Sequence, residues 1–181
     1  MSHSNPMMNP TGGAGAWRGL AQPALHDDLM DAVLPPANMQ RAWRRVKSNR
    51  GAPGIDGMRS DDFPAYARDH WPEIRPSLSE GCYHPQPVRR VSIPKPDGGE
   101  RALGIPNLVD RVIQQAIAQT LTPIFDPEFS ESSYGFRPGR SAHGALKQVR
   151  ADIKAGYRIA VDLDLAKFLD NVDHDLLVAR V

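Results

Sequence analysis

Apolar and polar residues alternate near the C-terminal end of the chain, over residues 158–165. The apolar positions of this alternation are Ile159, Val161, Leu163 and Leu165. Asp162 and Asp164 lie between them. A period of two predicts a half-buried strand with one apolar face, and it places the two carboxylates about 7 Å apart on the other face. Such carboxylates suit Mg²⁺, which prefers oxygen ligands, although an acidic face that is simply solvated is an equally good explanation of this segment alone.

The rest of the chain follows mainly helical spacing. The apolar positions predict helices over residues 25–34, 39–47, 60–71, 72–78, 108–125 and 141–155, and a last helix beginning at His174. Asn38, Ser141 and Asp173 are the expected N-caps of three of them. Residues 1–23 are rich in Gly, Pro, Ser and Asn without periodicity, and we expect a disordered leader there.

Residues 88–105 interrupt the helical pattern. Two alternating runs, Val88–Lys95 and Glu100–Ile105, flank a Pro-Asp-Gly-Gly sequence, which predicts a β-hairpin. The hairpin would bring Lys95 and Arg101 side by side near its tip. A lysine and an arginine together suit phosphate oxygens, whereas the alternative is an edge strand guarded by charge.

Two further stretches have the composition of nucleic-acid contacts. The first carries five basic residues and no acid: Arg41, Arg44, Arg45, Lys47 and Arg50. It predicts a surface for a phosphate backbone, and its alternative is a solvated basic helix face. The second, residues 134–140, interleaves aromatic residues, glycines, Arg137 and Arg140. Such a mixture can stack on bases and hold a backbone.

Size and charge agree with such a partner. The chain has 181 residues, enough for one domain, with a single cysteine. Its apolar runs are shorter than the roughly 20 residues of a membrane span, and the N-terminus lacks the features of a secretory signal, so we expect a cytoplasmic protein. Residues 39–158 carry 19 basic and 13 acidic side chains, whereas residues 159–181 carry two and five. A basic body before an acidic segment is typical of a protein that holds a polyanion and a metal.

The order of these motifs resembles the group II intron reverse transcriptases, also called maturases. The segments that carry the resemblance are the loop 51–57, the hairpin region 83–106, the helix start 110–116, the block 134–143 and the acidic segment 162–175. In that family the loop corresponds to a lid loop, the hairpin region and the helix start to the fingers, the block 134–143 to the next conserved block, and the acidic segment to the first catalytic motif of the palm. The resemblance covers about residues 38–181.

The resemblance implies an α+β fold made of reverse-transcriptase fingers, with helices and a β-hairpin, and an incomplete palm. We expect a leader and short helix over residues 1–37, the fingers over 38–156, and the first strand and helix start of the palm over 157–181. A palm that ends there would expose the apolar face of its first strand, so poor solubility or a partner chain that completes the palm is expected.

The resemblance also implies site residues. Asp164 matches the catalytic, metal-binding aspartate, because the aromatic gate of the family lies five residues later, where this chain has Leu169. Lys95 and Arg101 match the residues that hold the triphosphate of the incoming deoxynucleotide. Arg137 and the basic helix match RNA-contacting regions more loosely. In the family, a primer 3′-hydroxyl attacks the α-phosphorus on an RNA template, assisted by two Mg²⁺ ions.

The functional expectation is the N-terminal part of a group II intron-encoded RNA-directed DNA polymerase that acts in intron splicing and mobility, with group II intron RNA as its partner. The alternative is a catalytically inactive RNA-binding fragment. Because the family needs two further aspartates that this sequence lacks, we expect that the chain as given does not polymerise. A metal-dependent phosphohydrolase built on His174 and Asp175 is a third and weaker interpretation.

Overall fold

The fold is taken from a computed structural model of the chain. It describes residues 29–96, 98–165, 168 and 171–179, without the side chain of Val178. The predicted leader, residues 1–23, lies outside the described residues.

The described residues form an α+β fold, as predicted. In chain order the elements are α1 (Leu29–Val33), α2 (Pro36–Ser48), α3 (Phe63–Ser79), β1 (Arg89–Pro94), β2 (Glu100–Ile105), α4 (Leu108–Phe125), α5 (Ala142–Lys154) and α6 (His174–Val178). The chain divides into two compact units between Pro127 and Glu128. The predicted division into fingers and palm, after residue 156, is a functional one and stays a prediction.

The core of the first unit lies between helices, chiefly between α2 and α4. Its buried apolar residues are Val33, Leu34, Ala42, Val46, Phe63, Leu78, Leu108, Val109, Val112, Ile113 and Ala116. Ala42 and Ala116 are completely buried, and such small side chains let helix backbones approach closely. The bounds predicted for α4 are confirmed, because its apolar residues recur at helical spacing over its whole N-terminal half.

Asn38 is not the helix cap that its sequence position predicted. Helix α2 begins at Pro36, two residues before Asn38, and Asn38 is a buried residue of its first turn. Its side-chain amide donates to the carbonyl oxygens of Val33, at 2.8 Å, and Ala116, at 3.1 Å. The amide therefore joins α1, α2 and α4. A proline suits a helix start because its missing N–H is not needed there.

The predicted hairpin is confirmed. Strands β1 and β2 pair antiparallel, with Val91 opposite Leu103 and Ile93 opposite Arg101. At the turn the backbone N–H of Lys95 donates to the Gly99 carbonyl at 3.1 Å. The face that carries Arg101 is half-buried near the base of the hairpin and exposed towards its tip.

The caps predicted in the second unit are confirmed. The Ser141 hydroxyl accepts a hydrogen bond from the Gly144 N–H at 3.2 Å, at the start of α5. Asp173 caps α6 by accepting from the Leu176 N–H at 3.0 Å. Gly156 ends α5 with a φ of 103°. These are local signals, which need no tertiary partner.

The packing predicted for this unit is not formed. Residues 157–165 have no regular secondary structure, although a strand was predicted over 158–165. The apolar residues of the alternation are 69–89% exposed. The α5 side chains that were expected to face inward, Leu146, Val149 and Ile153, are more than half exposed. A strand needs a hydrogen-bonded neighbour, and the described residues provide none for this segment.

Candidate nucleotide site and nucleic-acid interface

The tip of the hairpin carries the two predicted phosphate ligands. Arg101 lies in β2 opposite Ile93, and Lys95 directly follows the end of β1 at Pro94, so both belong to the tip of the hairpin. Both side chains are exposed. The described residues contain no ion pair to either of them. Two exposed cations at the tip of one hairpin can bind the oxygens of an incoming polyphosphate.

Asp110 anchors the chain just before the hairpin. This buried carboxylate accepts a hydrogen bond from the Tyr83 hydroxyl at 2.6 Å and another from the Gln86 N–H at 3.3 Å. Burial raises the pKa of Tyr83, and the bond to Asp110 and the negative charge of that carboxylate raise it further. The segment 83–86 is therefore held against α4. Sequence reasoning missed this role, although a carboxylate in the apolar run Leu108–Ile113 was a usable signal.

The predicted lid loop, residues 51–57, rests on the start of α4. The Ile55 N–H donates to the side-chain oxygen of Asn107 at 3.0 Å. A Cβ added at Gly54 would lie 2.2 Å from that oxygen, and one at Gly51 would lie 2.6 Å from Nη1 of Arg111. Gly54 is thus required by its close approach to the backbone and side chain of Asn107, whereas a Cβ at Gly51 would meet only the flexible end of Arg111. The loop is a packed part of the first unit.

Helix α2 presents its predicted basic face to solvent. Arg41, Arg44, Arg45, Lys47 and Arg50 are all exposed. Arg41 donates to the side-chain oxygen of Asn38 at 3.1 Å, and the Lys47 ammonium lies 5.9 Å from the Trp43 ring centre. The face is free for an external polyanion because its apolar side is already buried against the core.

The structure gives Arg137 and Arg140 internal partners. Nη1 of Arg137 donates to the carbonyl oxygens of Ser130 at 2.7 Å and Ser133 at 3.3 Å. Arg140 forms an ion pair with Glu131, and its guanidinium lies 5.5 Å from the Tyr134 ring centre. Both residues hold the loop before α5 together. Their predicted role in RNA binding stays a prediction.

Phe136 directly precedes Arg137 in the same loop. Its ring is fully exposed, and its backbone has a φ of 57°, which is unusual for a bulky residue. The loop of the second unit therefore exposes the Phe136 ring to solvent.

Asp164, the predicted catalytic residue, is exposed within the irregular segment 157–165, and Asp162 lies two residues before it. Within the described parts of the chain, His, Cys, Asp and Glu residues nowhere form a group of three that could hold a metal ion. Two-metal catalysis needs more ligands than this, so the described residues do not by themselves fit the metal site of a polymerase. Leu169, predicted at the position of the gate, lies outside the described residues.

Comparison with known proteins indicates the class. Residues 93–181, just under half of the chain, match the family "Reverse transcriptase (RNA-dependent DNA polymerase)". The matched region includes the cationic tip of the hairpin, α4, α5 and Asp164.

Among curated proteins, the chain is homologous to group II intron-encoded proteins. It is 38% identical to the group II intron-encoded protein LtrA of Lactococcus lactis over 150 residues, which cover 82% of this chain and 25% of that protein. It is 36% identical to the protein YkfC of Escherichia coli over 159 residues, covering 84% of this chain and 42% of that protein. The chain therefore spans less than half the length of these relatives.

A solved structure, the partial Cas6-RT-Cas1–Cas2 complex, aligns with a TM-score of 0.47 and 21% identity over 83% of this chain and 24% of that chain.

None of the helices in the described part of the chain has the length and apolarity needed to cross a membrane.

Proposed function

We propose that the chain provides the fingers region and the first metal-binding segment of a group II intron-type RNA-directed DNA polymerase. The observation that supports this proposal is the position of two exposed cations, Lys95 and Arg101, at the tip of a hairpin in the segment that matches the reverse transcriptase family. Fold alone would not support a function, but exposed cations at these positions of the matched segment do. Intron RNA, an RNA template, a DNA primer and deoxynucleotides are the proposed partners, and the cytoplasm is the proposed location.

Lys95 and Arg101 would neutralise the triphosphate of the incoming nucleotide. The lysine supplies a mobile charge and the arginine a planar pair of donors. The Tyr83 hydroxyl and the Gln86 N–H both donate hydrogen bonds to Asp110, and these bonds fix the chain segment that leads into the hairpin. They therefore restrict the movement of the hairpin that carries the two cations. Preorganised cations of this kind stabilise developing charge without the cost of reorganisation.

The basic face of α2 would hold the RNA backbone. Its exposed cations release counterions when they neutralise phosphates, so binding should weaken steeply as salt rises. Each phosphate neutralised adds close to one unit to the slope of log affinity against log salt. A slope near zero would contradict this part of the proposal.

Asp164 is proposed as the aspartate that binds Mg²⁺, the ion that reverse transcriptases generally use. Bound Mg²⁺ would stabilise the attacking and leaving oxygens of the transfer. Since the described residues do not assemble that site, we derive no catalytic step from them. A catalytically inactive RNA-binding fragment is the second candidate, and the exposed basic residues of α2 would suit it equally well.

Primer extension on an RNA template with Mg²⁺ tests the proposal. The chain would be assayed alone and in a chimera in which it replaces the matching 25% of LtrA. Extension by the chimera, with a deoxynucleotide KM raised by Lys95→Ala or Arg101→Ala, supports the polymerase. A folded chimera that binds RNA and never extends a primer supports the inactive fragment, provided that LtrA itself extends it.

A further inference from the structure

Arg111 of α4 has a pair of hydrogen-bond donors that find no acceptor in the described part of the chain. Its Nε and Nη2 atoms are shielded from solvent, and neither has a partner among the described residues. The N–H groups of these two nitrogens point the same way and form the guanidinium edge that binds two oxygens of one oxyanion. Burial lowers the pKa of Arg111, and Asp56 opposes that shift. An arginine nevertheless stays charged at neutral pH, so the edge is a charged donor pair that lacks its acceptor.

A cavity of about 320 Å³ lies beside this side chain. It is lined by Val46, Asn49, Arg111, Gln114, Gln115 and Ala118. The lining contains three side-chain amides and no carboxylate, so it offers neutral donors around one cation. The volume is at the lower end of the range for small-ligand sites and admits a phosphate group with part of a nucleotide.

The surroundings favour a polyanion. Asn49 is the first residue after α2, and Arg45, Lys47 and Arg50 stand beside it along the chain, all exposed. Two features disfavour the binding of an anion. One is the carboxylate of Asp56, and the other is the C-terminal end of α2, which carries the negative end of the helix dipole. A lone phosphate should therefore bind weakly, whereas a strand whose other phosphates lie on α2 would gain from both sites.

We propose that this cavity, the Arg111 cavity, binds a backbone phosphate of the nucleic-acid strand held by α2. The identity of that strand depends on the proposed function, whereas the oxyanion chemistry depends only on Arg111 and the lining amides. Since Nε and Nη2 are shielded, binding requires a neighbouring side chain to move. Gln114 is exposed, and Gln115 has only a long hydrogen bond, of 3.5 Å, to Gln119. Both can rotate at little cost.

The direct test is to follow the Nε–Hε signal of Arg111 in the ¹⁵N-labelled wild-type chain. It would be titrated with inorganic phosphate, with an RNA octanucleotide and with a glutamate-rich peptide. The proposal expects the signal to shift with phosphate and to shift at much lower concentration with the octanucleotide. No shift with either would overturn it, and tighter binding of the acidic peptide would also overturn it, because the ligand would then be a protein carboxylate.

The matched variants are Arg111→Lys and Arg44→Lys. Both keep the positive charge, but only the first removes the shielded two-donor edge of a residue that lines the cavity. Arg111→Lys should weaken octanucleotide binding about tenfold, the cost of exchanging a bidentate contact for a point charge, and Arg44→Lys about twofold or less. Equal effects would overturn the proposal. The wild-type titration remains decisive if Arg111→Lys fails to fold.

The outcomes separate this site from the proposed function. RNA binding that is lost with Arg44→Gln and Arg45→Gln but unchanged by Arg111→Lys overturns the Arg111 cavity alone. A phosphate-dependent shift of Arg111 without RNA binding by the chain supports the oxyanion site and contradicts the RNA-binding part of the proposed function.

Discussion

Removing the hydroxyl group of Tyr83 tests the anchor at the entry to the hairpin. Tyr83→Phe deletes the 2.6 Å bond to Asp110 and leaves that buried carboxylate with the longer, 3.3 Å bond from the Gln86 N–H. Hydrogen bonds to charged groups contribute about 1.5–3 kcal/mol. Tyr83 is only half-buried, so water can replace part of the lost bond. We therefore expect unfolding to become easier by about 1.5 kcal/mol, at the lower end of that range.

Urea denaturation followed by tryptophan fluorescence measures this change, because Trp43 in α2 and Trp71 in α3 report on the first unit. The matched control is Tyr66→Phe. The Tyr66 ring also packs against the core, but its hydroxyl has no hydrogen bond among the described residues. The control should cost less than about 0.5 kcal/mol. Equal losses in the two variants would refute the anchor.

The same bond predicts a dependence on alkaline pH. Because the pKa of Tyr83 is raised on folding, the folded state holds the phenol proton more tightly than the unfolded state. Its contribution to stability is thus complete below a pH of about 10 and declines above it, by at most about 1.4 kcal/mol per pH unit. The difference between wild type and Tyr83→Phe should shrink above that pH. A constant difference up to pH 11 would contradict the assigned bond.

Two further substitutions test the lid loop and the catalytic assignment. Gly54→Ala should destabilise the first unit by about 1–3 kcal/mol, because its Cβ would lie 2.2 Å from Asn107 Oδ1. Gly51→Ala, whose Cβ would meet only the flexible end of the Arg111 side chain, should cost less in the same denaturation experiment. In the LtrA chimera, Asp164→Asn should abolish primer extension and leave RNA binding, measured by filter retention, unchanged. Asp162→Asn should retain primer extension. The reverse result would assign the metal ligand to Asp162 instead of Asp164.

Local signals in the sequence predicted most of the first unit. The hairpin strands, the bounds of α4 and the apolar face of α2 followed from periodicity and turn chemistry, because these depend on near neighbours in the chain. Asn38 was misassigned because an asparagine that precedes a helix pattern usually caps it. Pro36 could begin the helix earlier, and this freed the amide to join three helices in the core.

The candidate site was predictable only in part. Lys95 and Arg101 could be assigned to the tip of one hairpin because the turn sequence between the two strands is a local signal. The partners of Asp110 and Arg111 could not be assigned, since they belong to segments that meet only in the folded chain. The strand predicted over 158–165 also depended on contacts that sequence periodicity does not reveal. Its alternation is clear, but pairing is not a local property, and without a neighbouring strand its apolar side chains stay exposed.

One helix, α4, carries residues of both candidate binding surfaces of the first unit. Two successive residues at its start contact different segments: Asp110 holds the entry to the hairpin, and Arg111 lies under the lid loop and beside its cavity. Because consecutive helix residues point about 100° apart, one rigid turn can position both surfaces at once. A variant that weakens the Asp110 anchor should therefore disturb the hairpin without moving the Nε–Hε signal of Arg111. If Tyr83→Phe shifted that signal as strongly as the octanucleotide does, the start of α4 would be a flexible link between the surfaces, and their preorganisation would need another source.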